Sequence, residues 1–479
     1  MLLSELLNAV ESKEYELYGD PTVSGLCLDS RKVEKGDLFF AIRGTNEDGT
    51  RYIRSAEIAG AVAVVCEEKP QTALPYIVVE DAREAMSLIS CAFYRKKSQK
   101  LNLIAVTGTN GKTTTSHLIY RGLLSAGKKA GVIGTLGVFY AGKVFAPDLT
   151  TPDPIFLHSI LADMADCGVE YVVMEVSAHA LQLKKIAGLH FSAGVLTNIT
   201  EDHLDDFHTM DAYISAKKSL FTENFVDVAV LSQDDPVGVE LAKTLRVPVL
   251  TYGLYAPSDV FAIDLKTDKD GTSYVVNLFD EVYLVRTNLL GAYNVQNQIA
   301  AASVLSYLGV PMPRIARFLS EPVHVEGRME KVAEWNGGTV FVDFAHTPDG
   351  LEKALKTLRE ITEGRLICLF GCGGNREREK RSLMGKIAGT EADFVVLTSD
   401  NPRYEDPLGI IAEAETGLVS VTKEYVTVQD RRAAIGYAIG MLKKGDTLLL
   451  AGKGGEEYQE IMGVQYPFND KKYVSELLG

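Results

Sequence analysis

The chain has 479 residues, too many for one hydrophobic core, and a usual ~150 residues per domain suggests about three domains. With 46% hydrophobic and 24% charged residues it has the make-up of a globular protein, and its net charge of −15 argues against a nucleic-acid binder that works by neutralising phosphates. No apolar run approaches the ~20 residues a membrane span needs, and the opening MLLSELLNAVESKEYELYGD carries acids early, so a cytoplasmic protein without membrane or nucleic-acid partners is expected. Six scattered cysteines (Cys27, Cys66, Cys91, Cys167, Cys368, Cys372) show no CxxC pair or zinc spacing and read as reduced core thiols. Cys372, in a glycine loop, is the one open to another role.

Residues 1–98 predict a small α/β domain. Short apolar runs (Phe39-Phe40-Ala41-Ile42, Ala61-Val62-Ala63-Val64-Val65, Ile77-Val78-Val79) alternate with turns, and no nucleotide loop is present. Leu28-Asp29-Ser30-Arg31 and the stretch from Gly44 through Thr45 and Asn46 to Gly49 are turn compositions in themselves. Arg95-Lys96-Lys97-Ser98-Gln99-Lys100 reads as a polar connector.

A second domain, 99–326, opens on Leu103-Ile104-Ala105-Val106, an uncharged run that reads as a buried parallel strand. It passes directly into Thr107-Gly108-Thr109-Asn110-Gly111-Lys112-Thr113-Thr114, and Leu118, Ile119, Gly122 and Leu123 then recur at helical spacing. Strand, glycine turn and helix in that order aim backbone N–H groups and a helix N-terminus at one point, where Lys112 adds a charge. This is an anion site suited to the phosphates of ATP, with the Thr113 hydroxyl as the natural Mg²⁺ ligand. The general eight-residue pattern asks for glycine at 106, where the chain has Val106.

Further apolar strands end in polar clusters: Glu175-Val176-Ser177-Ala178-His179 after residues 171–174, and Asn198 with Asp202-His203-Leu204-Asp205 after residues 194–197. Parallel sheets bind ligands beyond the carboxyl ends of their strands, so a carboxylate and an imidazole there could hold metals that bridge ATP phosphates. A helix N-cap for Asp202 and surface positions for His179 and His203 are the structural alternatives. Lys217, next to Lys218, reads by composition as one of two lysines on a solvated helix. Residues 255–290 suggest antiparallel hairpins appended to the sheet, and Asn294 and Asn297 lie three apart on one side of a helix.

Beyond Gly327-Arg328 a third α/β domain, 327–479, repeats the theme. Its strands lead into Asp343-Phe344-Ala345-His346-Thr347-Pro348-Asp349, Gly371-Cys372-Gly373-Gly374-Asn375-Arg376, Asp400-Asn401-Pro402-Arg403 and Ala451-Gly452-Lys453-Gly454-Gly455-Glu456. Each conspicuous cluster follows a strand's C-terminal end, making this edge a second ligand-binding face. The fold class expected is α/β, with a central P-loop parallel-sheet ATPase domain between a small N-terminal α/β domain and a Rossmann-like C-terminal one.

Together, these motifs resemble the Mur ligases, three-domain ATP-dependent enzymes that add amino acids to the peptidoglycan precursor. The likeness covers nearly the whole chain in order, and residues 107–114 resemble the family's own version of the loop. The resemblance implies that Gly108, Thr109, Asn110, Gly111, Lys112, Thr113 and Thr114 cradle ATP, while Asn294, Arg328, Asp343 and His346 hold its adenosine and phosphates. Thr113, Glu175, His203 and Lys217 would serve Mg²⁺, Lys217 as a carbamate, which reverses the compositional reading of that residue. Lys112, Glu175, His203 and Lys217 form the implied catalytic set. Ser30, Thr45 and Asn46 would lie along the uridine end of a UDP-N-acetylmuramoyl-L-alanyl-D-glutamate acceptor, and Thr150, Thr151, Ser177 and Lys185 along its phosphates and peptide.

Arg376, Asp400, Asn401, Arg403, Gly452 and Glu456 fall at the family's positions for the incoming amino acid. A distal carboxylate calls for a guanidinium fork, and residues 400–403 resemble the family's signature for meso-diaminopimelate. The activity implied is amide-bond formation through an acyl phosphate by a monomeric enzyme. L-lysine or another amino acid as substrate, a folate- or cyanophycin-type synthetase, a P-loop ATP hydrolase or switch, and a scaffolding paralogue are the rival readings. Three positions depart from the family pattern: Gly455 replaces a histidine, Lys185 an arginine, and Asp205-Asp206-Phe207-His208 carries an extra acid.

Overall fold

Uncharged strands need cover on both faces, and three sheets with flanking helices provide it. The computed structural model describes the chain except Tyr18, Thr45, Asn46, Pro147, Asp148 and His203, and the side chains of Lys96 and Lys97. Among the described residues, no helix is long and apolar enough to cross a membrane.

The first sheet runs in the order Ser12–Glu16, Tyr76–Val79, Ala63–Cys66, Asp37–Phe40, Gly25–Cys27, antiparallel at the first pair and parallel thereafter. Its neighbouring helix, Ala82–Ser98, starts where the Asp81 carboxylate accepts from the N–H groups of Arg83 (2.9 Å) and Glu84 (3.0 Å). This helix corrects the expected connector at 95–100, since its last turns run through most of that stretch. Lysine and arginine are good helix formers and suit a helix C-terminus, so a basic cluster alone does not mark a linker. Ala82, Ala85, Met86 and Ile89 join the first core, and the helix packs along Pro154–Asp166 of the second unit.

The central sheet has 11 strands among the described residues. Val249–Gly253, Ala229–Ser232, Ala193–Leu196, Asn102–Thr107, Tyr171–Glu175 and Ala130–Gly134 form its parallel middle in that order. Val260–Asp268 continues it in parallel, and Gly271–Leu278 and Glu281–Thr287 fold back antiparallel, as residues 255–290 suggested. At the other edge Gly137–Tyr140 and Lys143–Phe145 add a hairpin too short to read from the sequence. Helices Lys112–Ser125 and Ala292–Tyr307 share one core, and Pro154–Asp166 packs into the other. Gly122 permits the first two to touch, because a Cβ there would lie 2.4 Å from Leu305 Cδ1.

Register brings the strand ends level. Glu175 pairs with Val106 and Leu196 with Thr107, so the segments after all three strands emerge at one edge. The third sheet, Glu330–Trp335, Gly338–Asp343, Thr447–Ala451, Leu366–Phe370, Phe394–Leu397, Tyr425–Thr427, does the same by pairing Asp343 with Ala451. Behind it lies an ion pair with no exposure on either side chain: Arg431 Nη2 donates to Asp470 Oδ2 (2.6 Å) and Nε to Oδ1 (2.8 Å). The same guanidinium donates to the carbonyls of Ala451 (3.0 Å) and Ser399 (3.4 Å), joining the roots of two site loops to the last helix, Asp470–Leu478. Asp470→Ala leaves that cation buried and unpaired and should cost about 3–5 kcal/mol. Urea unfolding followed by circular dichroism should show a lower midpoint, and Asp470→Asn a smaller loss.

Candidate functional site

Two glycines shape the loop between Thr107 and the helix Lys112–Ser125. Gly108 (φ +142°) and Gly111 (φ +84°) occupy backbone conformations rare for side chains, and a Cβ on Gly111 would lie 2.4 Å from Asn297 Oδ1. Asn198, at the end of the adjacent strand, pins the loop by accepting from Thr109 N (2.8 Å) through its carbonyl and from Asn110 N (3.0 Å) through its side chain. Lys112 Nζ donates to the carbonyls of Gly108 (2.9 Å) and Thr109 (2.8 Å), which holds the ammonium over the loop. Burial lowers its pKa from the ordinary lysine value, while Glu175 and Asp202 oppose that shift.

Glu175 is fully buried at the end of its strand. Thr113 Oγ1 and Thr135 Oγ1 each donate to Glu175 Oε2 at 3.1 Å, and Thr135 N donates to Oε1 at 3.0 Å. Thr135 escaped the sequence reading, although it too follows the C-terminal end of an apolar strand. Thr113 and Glu175 offer hard oxygen donors side by side at the cavity wall, a set that fits Mg²⁺. Among the described residues no group of three or more His, Cys, Asp or Glu is placed to hold a metal; His203 lies outside them. His179, expected to be a surface residue or a metal ligand, is half-buried and bonded through Nε2 to Asp206 Oδ2 at 2.7 Å. The extra acid of residues 205–208 thus has a partner.

Lys217 overturns its compositional reading. It is 1% exposed, donates from Nζ to Gly108 O (2.8 Å) and lies 4.6 Å from the Tyr213 ring centroid. Burial, and then the charge of Lys112, push its pKa well below the lysine value.

Several contacts cross to the third sheet. Arg328 Nη2 donates to Thr113 Oγ1 (2.9 Å) and its guanidinium stacks 4.3 Å from the Phe344 ring centroid. Asn110 Nδ2 donates to Asp349 Oδ2 (2.8 Å), and Lys380 Nζ lies 3.6 Å from Asp202 Oδ1. Asp349 closes the polar cluster that follows its strand, whereas Lys380, an ordinary charge on a helix, gave no signal in the sequence. Asp343 accepts from the N–H groups of Met329 (2.5 Å) and Ala345 (2.8 Å), and burial raises its pKa against the pull of Arg328. Burial also lowers His346 to about 4; its Nδ1 bonds Phe344 O at 2.8 Å. Asn294 is buried, donating to Leu290 O (2.9 Å) and accepting from Asn297 Nδ2 (3.3 Å).

Between the sheets lies a cavity of about 360 Å³, lined from the glycine-loop side by residues 109–114, Thr150, Glu175, Ser177 and Asn294. From the other side Arg328, Asp343, His346, Arg376, Asp400, Asn401, Arg403, Gly452 and Glu456 complete it. Asn401 Nδ2 donates to Glu456 Oε2 (2.9 Å), and buried Lys453 donates to both Asn401 Oδ1 (3.0 Å) and Glu456 Oε2 (2.9 Å). Gly452 has φ +109°, and a Cβ on it would lie 2.8 Å from Asp400 Oδ2. At Gly455 the Cβ of a histidine would crowd Glu326 Cγ (3.1 Å) and Leu136 Cδ2 (3.3 Å). Cys372 is buried and its thiol pushed up to about 12, the inert behaviour of a core cysteine.

Ser30 and Lys185 are not at this cavity. They line a groove between the first and second units, with Phe39 and Arg83 from the first and Leu149 from the second, while Thr45 and Asn46 fall outside the described residues. Hydrogen bonds connect groove and cavity: Lys185 Nζ donates to Thr151 O (3.2 Å), Thr151 Oγ1 to Glu175 O (2.9 Å), and Ser177 N to Thr151 Oγ1 (3.1 Å). Thr150 Oγ1 lies 3.1 Å from Thr135 Oγ1.

Family models match three segments: "Mur ligase family, catalytic domain" over residues 22–94, "Mur ligase middle domain" over 106–305 and "Mur ligase, glutamate ligase domain" over 327–454. The UDP-N-acetylmuramoyl-L-alanyl-D-glutamate--2,6-diaminopimelate ligase of Aquifex aeolicus is 43% identical over 457 residues, 95% of this chain and 94% of that one. Its namesake from Geobacillus thermodenitrificans is 40% identical across 98% of both chains. A solved structure under the same enzyme name superposes with a TM-score of 0.71 at 33% identity, covering 100% of this chain and 98% of that one. A Thermotoga maritima MurF ligase in complex with ADP has a TM-score of 0.64 at 22% identity, over 89% of this chain and 93% of that one, a likeness of fold. With the models and the relatives spanning nearly its whole length, the chain belongs to the Mur ligase family.

Proposed function

We propose that this chain joins meso-diaminopimelate to UDP-N-acetylmuramoyl-L-alanyl-D-glutamate at the expense of ATP, with Mg²⁺, as a cytoplasmic monomer. The observation that carries the reading is that the glycine loop and the charged cluster around Asp400, Arg403 and Glu456 open on one cavity. Relatives named for this activity at about 40% identity support it. One chain supplies every group invoked, so no second copy is needed. Residues 1–98 would bind the uridine end, 99–326 ATP, and 327–479 the amino acid.

The loop N–H groups and Lys112 would hold the triphosphate and neutralise charge growing on the γ-phosphoryl group. Mg²⁺, held by Thr113, Glu175, His203 and the Lys217 carbamate, would supply further positive charge at the phosphates. The D-glutamyl γ-carboxylate attacks the γ-phosphorus, forming an acyl phosphate and releasing ADP. The free amine of the amino acid then attacks the acyl carbon, and phosphate leaves. Asn294, Arg328, Asp343 and His346 would hold the nucleotide while contacts between the second and third units exclude water. Burial of Lys217 favours its neutral amine, the form that adds to CO₂; loss of a proton leaves an anion. Arg403 and Arg376 would receive the distal carboxylate, and Asp400 and Glu456 the ammonium.

Purified protein given ATP, the UDP-dipeptide and a panel of amino acids should yield the diaminopimelate adduct by mass spectrometry; a lysine adduct alone, or phosphate release without either substrate, would refute the assignment. Lys112→Ala should lower kcat at least about a hundredfold in a coupled ADP assay. Lys217→Ala should be inactive and partly rescued by formate or acetate, and full activity would count against the carbamate. Arg403→Ala should raise KM for diaminopimelate about tenfold or more and leave KM for ATP unchanged.

A further inference from the structure

Arg403 needs orienting before it can serve as a carboxylate fork, because a guanidinium presents two different edges and a long side chain turns freely. Its backbone is in the left-handed region (φ +52°) and is clamped there by the strand Tyr458–Ile461. Arg403 N donates to Glu460 O (3.0 Å), Met462 N donates to Arg403 O (2.6 Å), and Glu460 N donates to Asn401 Oδ1 (3.0 Å). The side chains meet as well, with Arg403 Nε 3.4 Å from Glu460 Oε2. On its far side Arg403 Nη1 donates to Gly374 O (2.7 Å), and the bare Gly373 makes room for it, since a Cβ there would lie 3.0 Å from Nη1. Arg403 lines the cavity and Glu460 does not.

Nε thus lies within ion-pair reach of a carboxylate and one Nη1 proton goes to a carbonyl, while Nη2 donates to no described residue. A ligand carboxylate then meets the guanidinium at its Nη1–Nη2 end. We propose that Glu460 is a positioning residue for the incoming amino acid, setting the plane of Arg403 so that its Nη1–Nη2 edge faces the distal carboxylate. This rests on the diaminopimelate reading above. The pair is about three-quarters buried on both side chains, so its loss should have a modest effect confined to one substrate.

Steady-state kinetics on the full chain can test this with wild type, Glu460→Gln and Glu460→Asp, varying diaminopimelate, ATP and the UDP-dipeptide in turn. Glu460→Gln should raise KM for diaminopimelate roughly fivefold, with kcat and the other two KM values unchanged. Glu460→Asp keeps the charge and should recover part of that loss. An unchanged diaminopimelate KM in Glu460→Gln would overturn the proposal. So would an equal decline in all parameters, the mark of a merely structural role. Should Glu460→Gln fail to fold, Glu460→Asp decides: a raised diaminopimelate KM alone supports the proposal and wild-type values refute it. A wild-type enzyme that rejects diaminopimelate would refute the substrate reading itself, a result visible without any variant.

Discussion

One hydroxyl joins the parts of the site. Thr113 Oγ1 donates to Glu175 at the end of the adjacent central strand and accepts from Arg328, which precedes the third sheet. Loop, strand and third unit thereby share a single atom at the wall of the cavity. Under the proposed function, a ligand oxygen or cation arriving there would compete with Arg328 for Thr113.

The same economy governs the charges. Lys112, Lys217 and Asp343 all lie where burial disfavours their ionised forms. What offsets that cost comes from within each unit: the loop carbonyls of Gly108 and Thr109 for the lysines, Arg328 and two backbone N–H groups for Asp343. Preorganised polar groups of this kind act strongly on charge that develops in a water-poor cleft. Polar bonds that cross between the second and third units, such as Asn110 to Asp349, lie beside an apolar contact in which Leu290 and Tyr293 join the core of the third unit.

Much of the fold was legible because parallel strands announce themselves: an uncharged run followed by glycine and polar residues marks a strand and the loop where ligands bind. Residues 107–114, Glu175, Asp343 and 400–403 were found that way. Lys217 was not, since nothing in residues 213–218 tells that its neighbours will be Tyr213 and Gly108, a carbonyl 109 positions away. Glu460 and Lys380 stayed silent for the same reason, as charged residues whose partners are set by tertiary packing. The basic stretch at 95–100 misled because lysine and arginine serve helix ends as readily as linkers.

The central claim is that carboxylate, γ-phosphate and amine meet in the one cavity between the second and third units. Labelling the D-glutamyl γ-carboxylate with ¹⁸O and weighing the phosphate released during ligation tests it most directly. Transfer of one labelled oxygen to each phosphate is the outcome the account predicts. Phosphate carrying an oxygen from water instead would contradict it.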